Sequence, residues 1–360
     1  MLKKKNRIIW TLVAILIAAI SIYFVIAQSK NFSIESFVNF ITGSNPMWWI
    51  LALLCMLAFI IFEGLAIKVI IKAFGYPKSA SKCLLYSASD IYFSAITPSA
   101  TGGQPVCGLF MARDGIPGGI VTVSLILNLV MYTVSIMITG IAALIFKPEI
   151  FNEFDGTSKT LIIIGYVMMT GLNLFFIILL KSSKIVHKLS SGFLKFLRKI
   201  RIIKDISKLE TKLQKSMDDY EECARMIRGQ KTMLLKVFIF NFLQRTLQIC
   251  ITAIVFLATG GAASKAFDVW MTQVYVVMGS NCLPVPGAMG VSDYLLMDGM
   301  KNFMDEASVT DLDLLSRGVS FYICVILTGI IVAIGFFTHR GQKSEQEIEA
   351  EKSDVREEKC

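Results

Sequence analysis

The 360-residue sequence predicts an all-α, polytopic helical membrane protein with about six full spans and two re-entrant broken helices in an inverted-repeat-like arrangement. Three observations lead there. Apolar residues make up 54% of the chain and charged residues 18%, against about 25% charge in an ordinary soluble domain, which excludes a soluble enzyme. Apolar runs recur along the whole length, several of them near the roughly 20 residues that a helix needs to cross a hydrocarbon core about 30 Å thick. Membrane β-barrels are built from short alternating strands instead. Two of the apolar segments are broken in the middle by Pro and Gly.

The elements follow in order. Lys3, Lys4, Lys5 and Arg7 precede a first apolar run, residues 8–27. A cleavable signal peptide is the competing reading, but its apolar core is about 7–15 residues, so a retained first helix is expected. A second span covers residues 47–71, entered through Pro46, Trp48 and Trp49, as suits an aromatic interface belt. Lys68 in its last turn and Lys72, Lys78 and Lys82 after it match the basic N-terminus on one side, which the positive-inside rule makes cytoplasmic. Residues 83–117 are apolar but interrupted by Thr97-Pro98-Ser99-Ala100-Thr101-Gly102-Gly103-Gln104-Pro105. Pro removes a backbone donor and Gly weakens a helix, so two half-helices are expected, tolerated at membrane depth only inside protein or beside a water-filled cavity. Clean spans return at 118–146 and 160–180.

Residues 181–236 carry fifteen Lys or Arg against six Asp or Glu. Ile206, Leu209, Leu213, Met217, Tyr220 and Ile227 recur there at helical steps, the pattern of an amphipathic helix on the membrane surface or against another helix. A span at 237–259 precedes the second broken segment, 267–300, centred on Asn281-Cys282-Leu283-Pro284-Val285-Pro286-Gly287-Ala288-Met289-Gly290. An acidic, external connection with Asp305, Glu306, Asp311 and Asp313 leads to the last span, 318–338. The organisation is thus a membrane domain, 1–338, with the basic insertion 181–236, and a charged, disordered cytoplasmic tail, 339–360. Both termini are expected in the cytoplasm and the protein in the cell membrane.

The alternation closes if the first broken segment dips in from the cytoplasm and the second from outside. Ser94 and Pro98 lie 186 residues before Ser280 and Pro284, and paired Gly/Pro interruptions of opposite topology are the pattern of inverted-repeat transporters with substrate between them.

Half-helix ends at such breaks expose N–H groups suited to phosphate; the competing reading of Gly102, Gly103, Gly287 and Gly290 is close helix packing. Ionisable residues inside apolar segments are expensive and mark function. Glu63, Asp90, Arg113, Asp114, Arg245 and Asp293 are of this kind. Arg113 and Arg245 suit a phosphate, and Glu63, Asp90 or Asp293 suit an ammonium group or one another, while Arg113, Asp114 and Asp293 are also placed to snorkel to a surface. The candidate substrate-binding residues are therefore Glu63, Asp90, Thr97, Pro98, Gly102, Gly103, Gln104, Arg113, Arg245, Asn281, Pro284, Pro286, Gly287, Gly290 and Asp293. No catalytic residue is assigned, and no cofactor or metal is expected: Cys55, Cys83, Cys107, Cys223, Cys250, Cys282, Cys324 and Cys360 form no Cys-x-x-Cys pair, and only His187 and His339 accompany them.

The run from Ser94 to Pro105, then Arg113-Asp114-Gly115-Ile116, and later Pro284-Val285-Pro286-Gly287-Ala288-Met289-Gly290-Val291-Ser292-Asp293 resemble the lysylphosphatidylglycerol synthase transmembrane family, over roughly residues 7–337. This is the flippase-like membrane region of the phosphatidylglycerol lysyltransferases. Ala288 and Asp293 depart from the common Pro-Gly-Gly-x-Gly-x-x-Glu form of the second motif. The resemblance implies a lipid translocase handling a phospholipid headgroup such as lysyl-phosphatidylglycerol, linked to lipid modification and cationic antimicrobial resistance. No loop here is long enough for the soluble transferase domain of those relatives. The alternatives are lysyl transfer from lysyl-tRNA to phosphatidylglycerol, or a scaffold for a separate synthase. A membrane phospholipid is the expected partner, a homodimer is open, and direct nucleic-acid binding is not expected despite a net charge of +9.

Overall fold

The computed structural model describes residues 42–97, 102–182, 185–187, 207–227, 229–281 and 290–339. Among them there is no strand. Among the described residues twelve α-helices follow one another: α1 (Pro46–Ala73), α2 (Ala80–Ile96), α3 (Gly103–Arg113), α4 (Gly118–Phe146), α5 (Pro148–Glu153), α6 (Gly156–Lys181), α7 (Ser207–Ile227), α8 (Lys231–Ala258), α9 (Ala266–Ser280), α10 (Val291–Met300), α11 (Glu306–Arg317) and α12 (Cys324–His339). Among the described residues five stretches are long and apolar enough to cross a membrane: α1, α4, α6, α8 and Glu306–Phe336. They coincide with five of the six expected spans. The sixth, residues 8–27, lies outside the described residues, as does the tail beyond 339.

Local signals set the ends. Asn45 caps α1 by accepting the Met47 N–H at 3.0 Å, with Pro46 at the first helical position where its missing N–H costs nothing. At the other end Gly75 takes φ +86°, and the Tyr76 N–H returns to the Ile71 carbonyl at 2.9 Å. Large apolar side chains such as Ile163, Val167, Leu174 and Ile178 on α6 and Ile326, Ile330 and Ile334 on α12 face outward, as a lipid-facing surface requires. Between helices in lipid there is little hydrophobic drive, so small residues permit close packing. A Cβ on Gly64 of α1 would lie 3.0 Å from the Cys83 carbonyl of α2.

Each broken segment folds back on itself. In the first, α2 and α3 are antiparallel: Asp114 after α3 meets Lys78 and Lys82 at the start of α2, while Gly103 at the start of α3 meets Asp90 and Ser94. In the second, Gly279 of α9 abuts Leu295 of α10, and Gly299 abuts Thr272. The mouths of these hairpins lie at opposite ends of α4. The first is beside Gly118, and the second is where Lys147 pairs with Asp268 at 2.8 Å and Lys301 with Asp155 and Asp298 at 2.6 and 2.7 Å. Those carboxylates, Asp155 foremost, raise the Lys301 ammonium above its ordinary value. Twenty-nine residues of α4 separate the mouths, about 43 Å at 1.5 Å per residue. The two re-entrant segments therefore enter from opposite faces.

The amphipathic stretch takes the second of its two expected forms. Over the described residues it is α7, whose Met217, Tyr220 and Cys223 are buried against the chain's own helices, and the Tyr220 hydroxyl donates to the Leu179 carbonyl at 2.9 Å. Leu209 and Leu213 lie in α7 without described side chains, and Ile206 is outside the described residues. One boundary differs from expectation. The last span begins before residue 318: α11, within the acidic connection, continues through a π-helical turn, Gly318–Ile323, into α12, and the apolar stretch runs Glu306–Phe336.

Asp305 caps α11 by accepting the Ser308 N–H at 3.0 Å and its hydroxyl at 3.1 Å. These bonds hold its carboxyl below the ordinary value. A depressed folded-state value adds stability above the unfolded value of about 3.9 and loses it as pH falls through the folded one. Amide exchange at Ser308 and Val309 is expected to accelerate in Asp305→Ala at neutral pH, and in the parent only on acidification below about pH 4; Asp305→Asn, which keeps the cap, is expected to abolish most of the acid effect.

Candidate functional site

The buried apolar residues fall into two clusters. One contains Trp49–Ile60 positions of α1, the later part of α8 from Ile249, and α9 with α10. The other contains α1 from Ala66, α2 and α3, the early part of α4, and α8 as far as Val237. Each is built around one re-entrant hairpin. Between them lies a polar layer formed by Glu63 of α1, Asp90 of α2, Asn128 of α4, and Asn241, Gln244 and Arg245 of α8.

The first break builds one wall of this layer. Thr97 donates its hydroxyl to the Phe93 carbonyl at 2.6 Å and accepts the Gly102 N–H at 2.9 Å, so it closes α2 and positions the entry to α3. Gly103 lies flat on α2: a Cβ there would sit 2.1 Å from Ser94 Oγ and 2.2 Å from Asp90 Oδ1. This contact brings the positive end of the α3 dipole onto the Asp90 carboxylate. Gln104 Nε2 donates to Asp90 Oδ2 at 3.1 Å, and Ser94 Oγ to Oδ1 at 3.3 Å. Glu63 is a neighbour of Asp90 in this layer and takes a bond from Gln244 Nε2 at 3.0 Å. Both carboxyls are buried, at 6% and 7% exposure.

Arg245 forms the other wall. Its guanidinium lies 3.6 Å from the Tyr132 ring centroid and 5.2 Å from that of Phe59, and Nη1 donates to Gln248 Oε1 at 2.5 Å. Its Nε is buried without a hydrogen-bond partner. No carboxylate within the described ion pairs engages it. Tyr132 in turn donates to Asn281 Oδ1 at 2.8 Å, which ties this wall to the second break. Asn241 bridges to Asn128 at 3.0 Å, and both Asn241 Oδ1 and Gln244 Oε1 are buried without partners.

The structure thus gathers Glu63, Asp90, Thr97, Gly102, Gly103, Gln104, Arg245 and Asn281 around one layer. Arg113 is not there. It is exposed at the far end of α3, eleven residues or about 16 Å from the break. Gly290 and Asp293 form a separate arrangement. With φ +82° Gly290 opens α10, Asp293 accepts its N–H at 3.0 Å, and Arg317 pairs with Asp293 while holding Asp313 at 3.1 Å and Ser292 at 2.7 Å. Asp293 is therefore committed to a cap and an ion pair. Pro98, Pro284, Pro286 and Gly287 lie outside the described residues. Among the described residues no three His, Cys, Asp or Glu side chains converge as a metal set.

Sequence reasoning missed Gln244, Asn241, Asn128 and Tyr132. A signal for the first two exists: Asn241, Gln244, Arg245 and Gln248 recur at steps of three, four and seven on an otherwise apolar helix, which is one polar stripe.

Fold and site together define a polytopic helical membrane protein with two opposed re-entrant hairpins and a charged layer between them. The family model described as the lysylphosphatidylglycerol synthase TM region matches residues 11–328, and the chain belongs to that family. It is also 22% identical over 334 residues to a UPF0104 membrane protein of Methanocaldococcus jannaschii, covering 88% of this chain and 93% of that one. No solved structure matches.

Proposed function

We propose that the protein is a lipid translocase of the cell membrane, in which a phospholipid headgroup passes through the polar layer between the hairpins. The observation that carries this reading is Arg245: a cation inside a membrane-spanning helix, stacked on Tyr132 and Phe59, with an unused N–H and, among the described residues, no carboxylate bound to it. Such a group is costly in a membrane and is retained where it faces a pathway or an anionic ligand; a guanidinium matches phosphate geometry. Family membership supports a lipid in the lysyl-phosphatidylglycerol class as cargo, with lipid modification and resistance to cationic antimicrobials as the setting. The basic connection around α7 supports an orientation with both termini in the cytoplasm.

Vesicles reconstituted with the protein and headgroup-labelled phosphatidylglycerol test it through the fraction of label accessible to an external quencher over time. Arg245→Ala is expected to slow the movement about 10- to 100-fold, the worth of one charge-assisted hydrogen bond, with normal insertion. Movement at the parent rate would refute the role of Arg245, and no movement with the parent protein would refute the translocase reading. The transferase alternative is tested by incubating the chain with labelled lysyl-tRNA and phosphatidylglycerol. A scaffold that used the amphipathic helix to hold a separate synthase finds Met217, Tyr220 and Cys223 on the apolar face of α7 already buried against the chain itself.

A further inference from the structure

We infer that Glu63, Asp90 and Gln244 form a binding site for a primary ammonium group, which enters in exchange for a proton shared by the two carboxyls. The inference deepens the translocase reading, on which its choice of a lipid-borne amine rests.

The geometry carries three steps. First, Glu63 of α1 and Asp90 of α2 are neighbours in one buried layer, at 6% and 7% exposure, and two carboxyls buried together escape a double charge when one holds a proton. Second, the hydrogen bonds that the two carboxyls accept from the described residues all come from neutral groups: Gln244 to Glu63, and Gln104 and Ser94 to Asp90. None of these supplies a counter-charge. The other titratable groups facing the pair are Arg245 from α8, the Cys107 thiol from α3 and the Cys324 thiol from α12, and Arg245 is turned to Tyr132 and Gln248 rather than bonded to either carboxyl. Third, Gln244 is 1% exposed, and among the described residues its Oε1 has no partner although its Nε2 is already on Glu63. A buried amide oxygen left unpaired beside a carboxyl pair is an acceptor awaiting a donor.

An ammonium group has three donors and no acceptor. Glu63, Asp90 and Gln244 Oε1 offer three acceptors from three helices. The exchange balances in charge. Before it, the pair carries one proton and one negative charge. As R–NH3+ enters, the remaining carboxyl O–H bond breaks, its proton leaves to water, and two carboxylates and one ammonium again sum to one negative charge. Two uncompensated carboxylates are therefore never buried together, which would be the costly state. A quaternary ammonium, having no N–H, cannot satisfy the three acceptors.

The test uses purified full-length protein in unbuffered solutions matched in pH, with a pH-indicator dye and infrared detection of the protonated-carboxyl carbonyl stretch. The probes are methylammonium, tetramethylammonium, and short-chain phosphatidylethanolamine and phosphatidylcholine. Methylammonium and phosphatidylethanolamine are expected to release about one proton per bound probe, since a coupled pair gives up its protons in separate steps, and to diminish the infrared band; the quaternary probes release none. Glu63→Gln and Asp90→Asn are expected to release none while eluting as the parent does, and Gln244→Leu to bind the ammonium probes about ten-fold more weakly. Absence of release with both primary amines, or equal release with the quaternary ones, overturns the site, and the wild-type comparison stands even where a variant fails to fold. Release by methylammonium but by neither lipid upholds the ammonium site and refutes a lipid as its ligand.

Discussion

Gly165→Ala is expected to disrupt the packing of α6 on α9, whereas Gly140→Ala, on the neighbouring helix α4, is expected to be absorbed. A Cβ on Gly165 would lie 2.2 Å from the Met278 carbonyl and 2.9 Å from Gly279 Cα. Both are backbone atoms of α9, one helical turn or less from the second break. They cannot rotate away, so the helices must separate or α9 must shift. On Gly140 the added Cβ would meet Met278 Sδ at 2.4 Å and its methyl at 2.9 Å, the end of an unbranched, flexible side chain that can choose another rotamer. Overpacking typically costs about 1–3 kcal/mol, and more where backbone must move, so Gly165→Ala is placed at or above about 3 kcal/mol and Gly140→Ala below about 1.5 kcal/mol. Thermal unfolding of the two variants in the same detergent, followed by loss of the monodisperse peak, measures the difference. Equal losses would mean that α6 and α9 do not approach as closely as the glycines indicate. Because Gly165 and Ile162 bear on α9 just below Asn281, the same variant is also expected to slow headgroup movement.

Much of the architecture was legible because membranes reduce the problem to length and hydropathy. The spans stood out as apolar runs, and the breaks as Pro/Gly clusters within them. Glu63 and Asp90 were legible for the opposite reason: a charge in an apolar helix is conspicuous. What the sequence conceals is direction. Arg113 and Asp114 are adjacent, but residues in a helix turn about 100° apart, and here the helix ends between them. Arg113 is exposed, while the Asp114 carboxylate turns inward to 4% exposure. Gln244 and Asn241 escaped notice because an amide carries no charge and disturbs hydropathy little. Their significance lies in partners on α1 and α4, 181 and 113 residues away, which no local pattern reports. Asp293 kept its carboxylate but is paired with Arg317, which α11, a helix within the acidic connection, brings beside it.

Asp114→Ala is expected to loosen the mouth of the first hairpin by about 3–5 kcal/mol, the range for removing one partner of a buried ion pair. Its carboxylate takes Lys82 Nζ at 2.7 Å and the Tyr86 hydroxyl, and its backbone carbonyl takes Lys78 Nζ at 2.5 Å. These bonds join the end of α3 to the start of α2. The two losses differ in kind. Lys82 retains 29% side-chain exposure and can snorkel to water, which lowers its share. Tyr86 is fully buried, so its hydroxyl would be left without an acceptor, at about 1–3 kcal/mol. Removing both partners is less harmful than removing one. The Tyr86→Phe/Asp114→Ala double variant is therefore expected to be no less stable than Asp114→Ala alone, with a coupling of about 0.5–3 kcal/mol in a double-mutant cycle. Thermal unfolding supplies the four stabilities, and strict additivity would contradict the bond. If α2 and α3 part at their mouth, Gly103 also loses its seat against Asp90. Headgroup movement should then fall in Asp114→Ala and recover in part in the double variant, although Asp114 itself lies at the opposite end of the hairpin from the polar layer.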